Sequence, residues 1–410
     1  MMKKFYLILT CAALCACGGN GKQQASAITE EIVEETTTPQ TILEKETTWY
    51  DGEIPLIFDA YKDYPITNIK LSELADTEFI PLETNDSVLL RLIGTCQGNE
   101  YLLTNEYIYL EDRQEDIYTF TRKGKFVHKF NRKGGGPEEY AFIGSFVADP
   151  KNEEIFIQDY YSSAERKRGR TMVYDLKGNY KRDFPNRAYQ IVNLNDSMLL
   201  NYFEFNPGGP RYSVLRKSDG SEVKKLPIRF SKKYQEDYEL LQYGKVITSP
   251  QGAFMAHLGN DTIFEIMRND LSVRPRIIDQ SNYPTINAQA HPTLETSRYL
   301  IFYILSGQNH KSKVKQRFYI YDKKECQIYQ MKDYKGNIYW VLLDDYPHVT
   351  NWSKTQNPHI AVRTRQVYAV KDQGDKDSNK EIAELADKLT EDDNPILQVM
   401  IFHEVESVKR

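Results

Sequence analysis

The chain has 410 residues, of which 53 are basic and 58 acidic, giving a formal net charge of −5. Because the two signs are mixed and no basic block occurs, a nucleic-acid partner is not expected. The length permits one large domain or two ordinary ones. The 29 tyrosines favour a β-rich protein, since tyrosine forms strands and suits an exposed sheet surface.

The first 17 residues have the pattern of an export signal. Lys3 and Lys4 precede an apolar run over residues 5–14, which is too short to span a bilayer but has the length of a signal-peptide core. Residues 1–16 are therefore predicted to be a signal peptide. Leu14-Cys15-Ala16-Cys17 resembles the bacterial lipobox, which implies cleavage before Cys17 and acylation of that cysteine. Cleavage of an ordinary signal peptide is the alternative.

A polar stretch follows the predicted anchor. Residues 17–50 comprise Cys17 and a segment rich in Gly, Gln, Thr and Glu, with a self-repelling acidic run at 30–35. Few of these side chains could form an apolar face that packs against a core, so we expect a flexible tether between lipid and domain. Gly18 stands where an inner-membrane retention signal typically has Asp. The predicted location is therefore the outer membrane of a bacterial envelope, in either leaflet.

Strand patterns dominate from about residue 66, and a hairpin with a short turn recurs five times. Further short strands fill the gaps, so that a unit of four strands repeats every 42 to 54 residues. This is the period of β-propeller blades. We therefore predict an all-β fold, a six-bladed β-propeller over residues 51–410. The five hairpin turns are expected at Lys123-Gly124, Lys177-Gly178, Asp219-Gly220, Asn269-Asp270 and near Lys324.

Two further elements are expected to complete the propeller. Residues 375–389 place four apolar side chains on one helical face, which predicts a short helical insertion in the last blade, ending at Asn394-Pro395. A propeller must also be closed to hide its open edge. We expect residues 77–82 to pair with the C-terminal strand at 395–402 and to close the ring.

Residues 125–140 form a predicted strand followed by a glycine loop. Gly134, Gly135, Gly136 and Pro137 cannot continue a strand, and they lack the spacing of a phosphate-binding loop. We interpret them as a tight connection between blades, in backbone conformations that side chains disfavour. A second hypothesis makes the loop and its charged flanks a binding surface at the channel mouth. The residues with this predicted binding role are Arg132, Lys133, Glu138, Glu139 and Tyr140.

Recognisable catalytic motifs do not occur elsewhere in the sequence. The seven histidines lack the spacing of metal ligands, and no G-x-S-x-G nucleophile elbow is present. We therefore predict no catalytic residue, no metal site and no cofactor. Cys96 and Cys326 lie 230 residues apart, which leaves open a disulfide or two separate buried thiols.

Several of these segments together resemble the six-bladed β-propeller lipoproteins of Bacteroides-type bacteria. The loop of that family usually reads G-x-G-P-x-E-Y, which residues 134–140 match. The resemblance implies the propeller fold and a lipid-anchored envelope location. It supplies no catalytic residues, because the family has no assigned function. The other matching pieces are the lipobox at Cys17 and residues 79–84, 123–126 and 392–395.

The sequence is compatible with two main hypotheses for the function. A repeat architecture without a catalytic constellation favours a non-enzymatic binding module for a peptide, a glycan or an envelope protein, attached to the membrane through Cys17. The alternative is a metal-assisted hydrolase or lyase, similar to lactonases, with an ion in the central channel. A purely structural envelope protein is a third hypothesis.

Overall fold

A computed structural model describes most of the predicted domain. The described residues are 55–90, 101–112, 114–159, 169–203, 211–226, 228, 244–257, 260–281, 290–306, 315–331, 353–354, 359–373 and 380–403. The predicted signal peptide, Cys17 and the tether lie outside these ranges, as does Cys96. Within them the chain forms six β-sheets and three short helices. The six sheets are the blades of the predicted β-propeller.

Blades 1 to 3 are four-stranded antiparallel sheets whose strands follow chain order from the channel outwards. Blade 1 contains β4 (Tyr101–Leu103), β5 (Tyr107–Glu111), β6 (Ile117–Thr121) and β7 (Phe126–Phe130). Blade 2 contains β8 (Ile143–Asp149), β9 (Glu154–Asp159), β10 (Arg170–Asp175) and β11 (Tyr180–Pro185). Blade 3 contains β12 (Gln190–Asn193), β13 (Met198–Tyr202), β14 (Tyr212–Arg216) and β15 (Glu222–Leu226).

Blades 4 and 5 have a fifth, outermost strand that comes from the N-terminal part of the domain. These added strands, β1 (Leu56–Phe58) and β2 (Ile66–Thr67), pair in parallel with the last strand of each blade. Blade 4 contains β16 (Gly244–Thr248), β17 (Gly252–His257), β18 (Thr262–Met267) and β19 (Val273–Asp279). Blade 5 contains β20 (Ala290–Glu295), β21 (Tyr299–Ser306), β22 (Lys315–Asp322) and β23 (Gln327–Met331).

Blade 6 joins the two ends of the domain. After α1 (Leu71–Leu74), strand β3 (Ala75–Pro81) pairs antiparallel with β26 (Ile396–Phe402) over its whole length. The other strands are β24 (Ser353–Lys354) and β25 (Ile360–Arg365). The predicted closure of the ring by residues 77–82 is therefore confirmed, and the strand begins two residues earlier than expected.

A helical insertion lies between β25 and β26, as predicted. The helix α3 (Lys380–Ala386) buries Ile382 and Ala386, and residues 374–379 lie outside the described part of the chain. A further helix, α2 (Val367–Gln373), was not predicted. Both helices contribute to an apolar cluster with Phe79 of β3, so the insertion packs on the outermost strand of blade 6.

The apolar core is divided among the six interfaces between neighbouring blades. Strand side chains alternate between the two faces of a sheet, and each blade face packs against the next blade. Each of six clusters of buried side chains accordingly draws its members from two adjacent blades. The core is therefore a ring of interfaces around the channel.

The five predicted hairpin turns join the last two strands of blades 1 to 5. In blades 2 and 3 the turn residues Gly178 and Gly220 have φ angles of +84° and +69°, which side-chain-bearing residues rarely adopt. A Cβ atom at these positions would also overlap the rings of Phe130 and Phe184 in the preceding blade. The turns thus serve two purposes, because they reverse the chain and pack one blade against the previous one.

Candidate functional site

The glycine loop connects the outermost strand of blade 1, β7, to the innermost strand of blade 2, β8. We call residues 134–140 the elbow. Its two ends are held together: the amide of Gly134 donates to the carbonyl of Tyr140 (2.9 Å), and the amide of Tyr140 donates to the carbonyl of Arg132 (3.0 Å). The elbow is therefore a closed turn, which agrees with the interpretation of a tight connection between blades.

Tyr140 attaches the elbow to blade 1. Its ring is fully buried between blades 1 and 2 and meets Tyr174 edge-on, with ring centroids 6.2 Å apart. Its hydroxyl donates to the carbonyl of Glu115 (2.8 Å) and accepts from the amide of Arg132 (3.0 Å). Burial raises the pKa of the Tyr140 phenol, so this hydroxyl stays protonated and acts as a structural bridge.

Glu139 folds back into the elbow. Its Oε2 atom accepts from the amide of Gly136 at 2.7 Å, and a Cβ atom on Gly134 would overlap the carboxylate. Positive φ angles among the described glycines occur at Gly124, Gly178 and Gly220, in the hairpin turns. The expected backbone reason for the loop glycines is therefore wrong. The absence of a Cβ atom at Gly134 leaves room for the Glu139 carboxylate in its observed position.

This arrangement also explains why the loop does not resemble a phosphate cradle. Glycine-rich phosphate sites present free backbone amides to the ligand. Here the amide of Gly134 bonds to a carbonyl and that of Gly136 bonds to the Glu139 carboxylate. The Glu139 carboxylate therefore already accepts the hydrogen bond of the Gly136 amide.

Two basic residues before the elbow contact neighbouring structural elements. Lys133 forms an ion pair with Glu115 (Nζ to Oε1, 2.9 Å), and Glu115 lies at a φ of +64° in the turn between β5 and β6. The Nε atom of Arg132 donates to the carbonyl of Gly178 (2.7 Å), in the hairpin turn of blade 2. Both side chains therefore tie the elbow to adjacent parts of blades 1 and 2.

Arg170, at the start of β10, supports the elbow from blade 2. Its guanidinium donates to the carbonyls of Pro137 (2.8 Å) and Glu139 (2.7 Å), and the hydroxyl of Tyr174 donates to the carbonyl of Glu138 (2.9 Å). Three successive loop carbonyl groups on this side, at 137, 138 and 139, thus accept hydrogen bonds from blade 2. Sequence reasoning missed Arg170 and Tyr174, because their role depends on contacts more than 30 positions away.

Asp159 is the buried counter-ion beside this support. It is fully buried at the end of β9, and its Oδ2 atom lies 3.5 Å from Nε of Arg170. Its Oδ1 atom accepts from the amides of Ala141 and Phe142 (3.3 and 3.4 Å). Burial raises the pKa of the Asp159 carboxyl, and the hydrogen bonds and Arg170 oppose this shift. Asp159 therefore fixes the chain where it leaves the elbow and enters the innermost strand.

Three residues at this end of the propeller, Glu138, Phe142 and Tyr189, have exposed side chains. Glu138 is exposed at the tip of the elbow. Phe142, immediately before the innermost strand of blade 2, is 41% exposed, and Tyr189 in the corresponding position of blade 3 is 40% exposed. Innermost strands line the central channel of a propeller, so both aromatic residues lie near one end of that channel. Phe142 and Tyr189 were not among the predicted binding residues.

The described residues also bear on three sequence expectations, which concern metal ligands, thiols and membrane-spanning helices. Among the described residues, no group of three or more His, Cys, Asp or Glu side chains is arranged to hold a metal ion. Cys326 is an exposed free thiol, so the expectation that it is buried is wrong. None of the helices in the described ranges has the length and apolarity needed to cross a membrane.

Comparisons with known proteins give a family and a fold. A model of a family described as a domain of unknown function, DUF4934, matches residues 53–401. No curated protein matches the chain. A crystal structure of a Bacteroides fragilis protein inferred to be exported is similar in fold, with a TM-score of 0.61 and 16% identity over 86% of this chain and 100% of that chain.

Two further structural matches are more distant. The N-terminal domain of Nup159 has a TM-score of 0.40 and 11% identity, over 67% of this chain and 71% of that chain. A GH74 enzyme of Niastella koreensis has a TM-score of 0.32 and 11% identity, over 66% of this chain and 42% of that chain. At these scores neither match bears on function.

Proposed function

This chain belongs to the family of domains of unknown function DUF4934, and from that premise we propose that it is a lipid-anchored, non-enzymatic binding module of the bacterial envelope. Its ligand is a peptide, a glycan or an envelope protein. The ligand contacts the end of the propeller that carries the elbow, with Glu138 and Phe142 as the first points of contact.

The observation that carries this proposal is the contrast between the supported backbone of the elbow and the exposed side chains of Glu138 and of Phe142, which follows the elbow. Tyr140 and Arg170 each bond to a neighbouring segment, whereas Glu138 and Phe142 face the solvent. A surface that is already ordered loses little conformational entropy when it binds. A loop held in this way therefore suits recognition better than a connection that only needs to span two strands.

The envelope location rests on the sequence of the N-terminus and on the similar Bacteroides fragilis protein that is inferred to be exported. Several acyl chains on Cys17 would supply the stable membrane attachment that one chain does not. Replacing Cys17→Ala should move the protein from the membrane fraction to the soluble fraction. Continued membrane attachment of this variant would refute the lipid anchor.

Capture from envelope extracts tests the binding surface. Purified wild-type protein and the variants Glu138→Arg and Phe142→Ser are each cross-linked to solubilised envelope material, and bound proteins and glycans are identified. Tyr368→Ser is the matched control, since Tyr368 is 52% exposed and lies on α2, beside the outermost strand of blade 6. We expect one component to be enriched by wild type and control and lost with both elbow variants.

Equal capture by all four proteins would contradict the assignment of this surface. Turnover of a lactone or a glycan by the purified protein would instead favour the metal-assisted hydrolase or lyase. Elemental analysis of the same preparation shows whether a stoichiometric metal accompanies that activity.

A further inference from the structure

A segment at the N-terminal edge of the domain runs along the outside of two blades. We call residues 55–68 the rim strap; it contains β1 and β2. Leu56, Ile57 and Phe58 pair in parallel with the end of β19, and Ile66 and Thr67 pair with the end of β23. The rim strap is thus attached by short main-chain pairings to the outermost edges of blades 4 and 5.

Phe58 is the side-chain anchor of the rim strap. It is fully buried and packs between blades 4 and 5, with its ring 5.0 Å from that of Phe302 and 4.8 Å from that of Tyr319. Its carbonyl accepts from the amide of Gln280 (2.7 Å). A strand added to a sheet edge, with one side chain in a pocket, is a common mode of peptide recognition. Here the occupant of the pocket belongs to the same chain.

The edges under the rim strap differ from those that the rest of the rim leaves open. The covered edge of β19 presents Ile277, Ile278 and the charged Asp279, and that of β23 presents Gln330 and Met331. No described strand pairs with the outer edges of β7, β11 and β15, and these strands carry charged residues. Charged side chains protect an open edge from pairing with another strand. The charged residues of the open edges are Lys129, Lys181, Arg182, Asp183, Glu222, Lys224 and Lys225.

Detachment of the rim strap from blades 4 and 5 would leave the ring of blades closed. Ring closure depends on β3, which pairs with β26 from Ala75 to Pro81 and lies after the rim strap in the chain. Detachment would expose two edges whose covered positions carry a single charge, that of Asp279. It would also empty an aromatic pocket. Such edges favour renewed pairing with a strand of the same sequence.

We propose that the outer rim of blades 4 and 5 is a strand-acceptor site that takes the rim strap of a second copy of this chain. The rim strap of one copy is complementary to the pocket of another, because every copy carries both the pocket and the segment that fits it. Exchange of an identical element is a low-cost route to a dimer. The chain's own rim strap has a high effective concentration, so the exchanged dimer forms where copies are crowded, as on a membrane surface.

Cross-chain disulfide formation tests this exchange. Two differently tagged full-length chains are prepared with all five native cysteines replaced by serine, one carrying Ile57→Cys and the other Ile278→Cys. These two positions are paired across β1 and β19. The chains are mixed at increasing concentration under oxidising conditions, and the disulfide-linked heterodimer is quantified. Since strand pairing brings the thiols within disulfide range, we expect about tenfold more heterodimer than with an unpaired control.

Two controls make the result decisive. In the unpaired control, Tyr61→Cys replaces Ile57→Cys; Tyr61 is exposed on the same strap but does not pair with β19. In the second control, Ile57→Cys and Ile278→Cys lie on one chain, which should close an internal disulfide. If that internal bond forms while the mixed chains give no more heterodimer than the Tyr61 control, the proposed exchange is overturned.

Discussion

The two halves of the propeller seal their blade interfaces in different ways. Between blades 1, 2 and 3 the seal is local: Gly178 packs on Phe130, and Gly220 packs on Phe184. Around blades 4, 5 and 6 the seal comes from the N-terminal segment, with Phe58 in one interface and Leu74 in the next. The comparison shows that one repeated hairpin can be completed either by its neighbour in sequence or by a segment more than 200 residues away.

The hairpin turns of the two halves differ accordingly. Blades 2 and 3 have glycine at the position of positive φ, whereas blades 4 and 5 have Leu271 (+59°) and Cys326 (+53°). A side chain at such a position costs roughly 1–2 kcal/mol. Leu271 recovers part of this cost by packing against the cluster between blades 3 and 4, whereas Cys326 is exposed.

The largest effect is expected at the anchor of the rim strap. Phe58→Ala removes a buried ring and should reduce the free energy that holds the rim strap by about 3–5 kcal/mol. Hydrogen exchange of the Gln280 amide, which donates to the carbonyl of Phe58, measures this opening. Ile57→Ala is the control, because Ile57 is 44% exposed. A Gln280 amide that exchanges equally in both variants would refute the anchoring role.

The packing of the Gly220 turn on Phe184 should be sensitive to one added methyl group. Gly220→Ala adds a Cβ atom at a φ of +69° that overlaps the Phe184 ring, and we expect the free energy of unfolding to fall by about 2–3 kcal/mol. Chemical denaturation measures the change. Ser218→Ala in the same turn is exposed and should have almost no effect. Equal stability of the two variants would show that this turn does not seal the interface.

The elbow should be weakened by the loss of one hydroxyl group. Tyr140→Phe leaves the carbonyl of Glu115 and the amide of Arg132 without this partner, at an expected cost of about 1–3 kcal/mol in unfolding free energy. Tyr180→Phe, at a partly exposed tyrosine bonded to Asp183, should cost less. Chemical denaturation measures both losses. If Tyr180→Phe lowers the unfolding free energy more than Tyr140→Phe does, the Tyr140 hydroxyl does not hold the elbow.

The smallest effect is expected to be stabilising. Cys326→Gly relieves the positive φ angle of an exposed turn residue and should raise the unfolding free energy by about 0.5–1 kcal/mol, after the entropy cost of glycine is subtracted. Cys326→Ala keeps the Cβ atom and should leave stability nearly unchanged. A thermal unfolding series that ranks alanine above glycine would contradict the strain at this turn.

The repeated part of the fold was accessible from the sequence. The five hairpin turns, the six blades, the closing strand and a helix in the last blade follow from strand periodicity, turn residues and spacing. These signals are local, because strand alternation and turn chemistry depend on a few neighbouring residues. The helix α2 was missed, since it begins with Val367, Tyr368 and Val370, residue types that favour a strand.

Long-range contacts account for what the sequence did not reveal. The rim strap contains strands of only three and two residues, which have no recognisable pattern without their partners in blades 4 and 5. In the elbow, Glu139 was predicted to bind a ligand, and its carboxylate contacts the loop itself. The binding role of the elbow stays a prediction, now directed to Glu138 and Phe142.

Native-state hydrogen exchange along the rim tests most directly the claim that one N-terminal segment both covers two blades and closes the ring. The amides of Gln280 and Gln330, which donate to carbonyls of the rim strap, should exchange through a local opening. The amides between β3 and β26 should exchange only with global unfolding. Exchange of both groups at the same free energy would contradict the account, because the rim strap would then be as integral to the ring as β3.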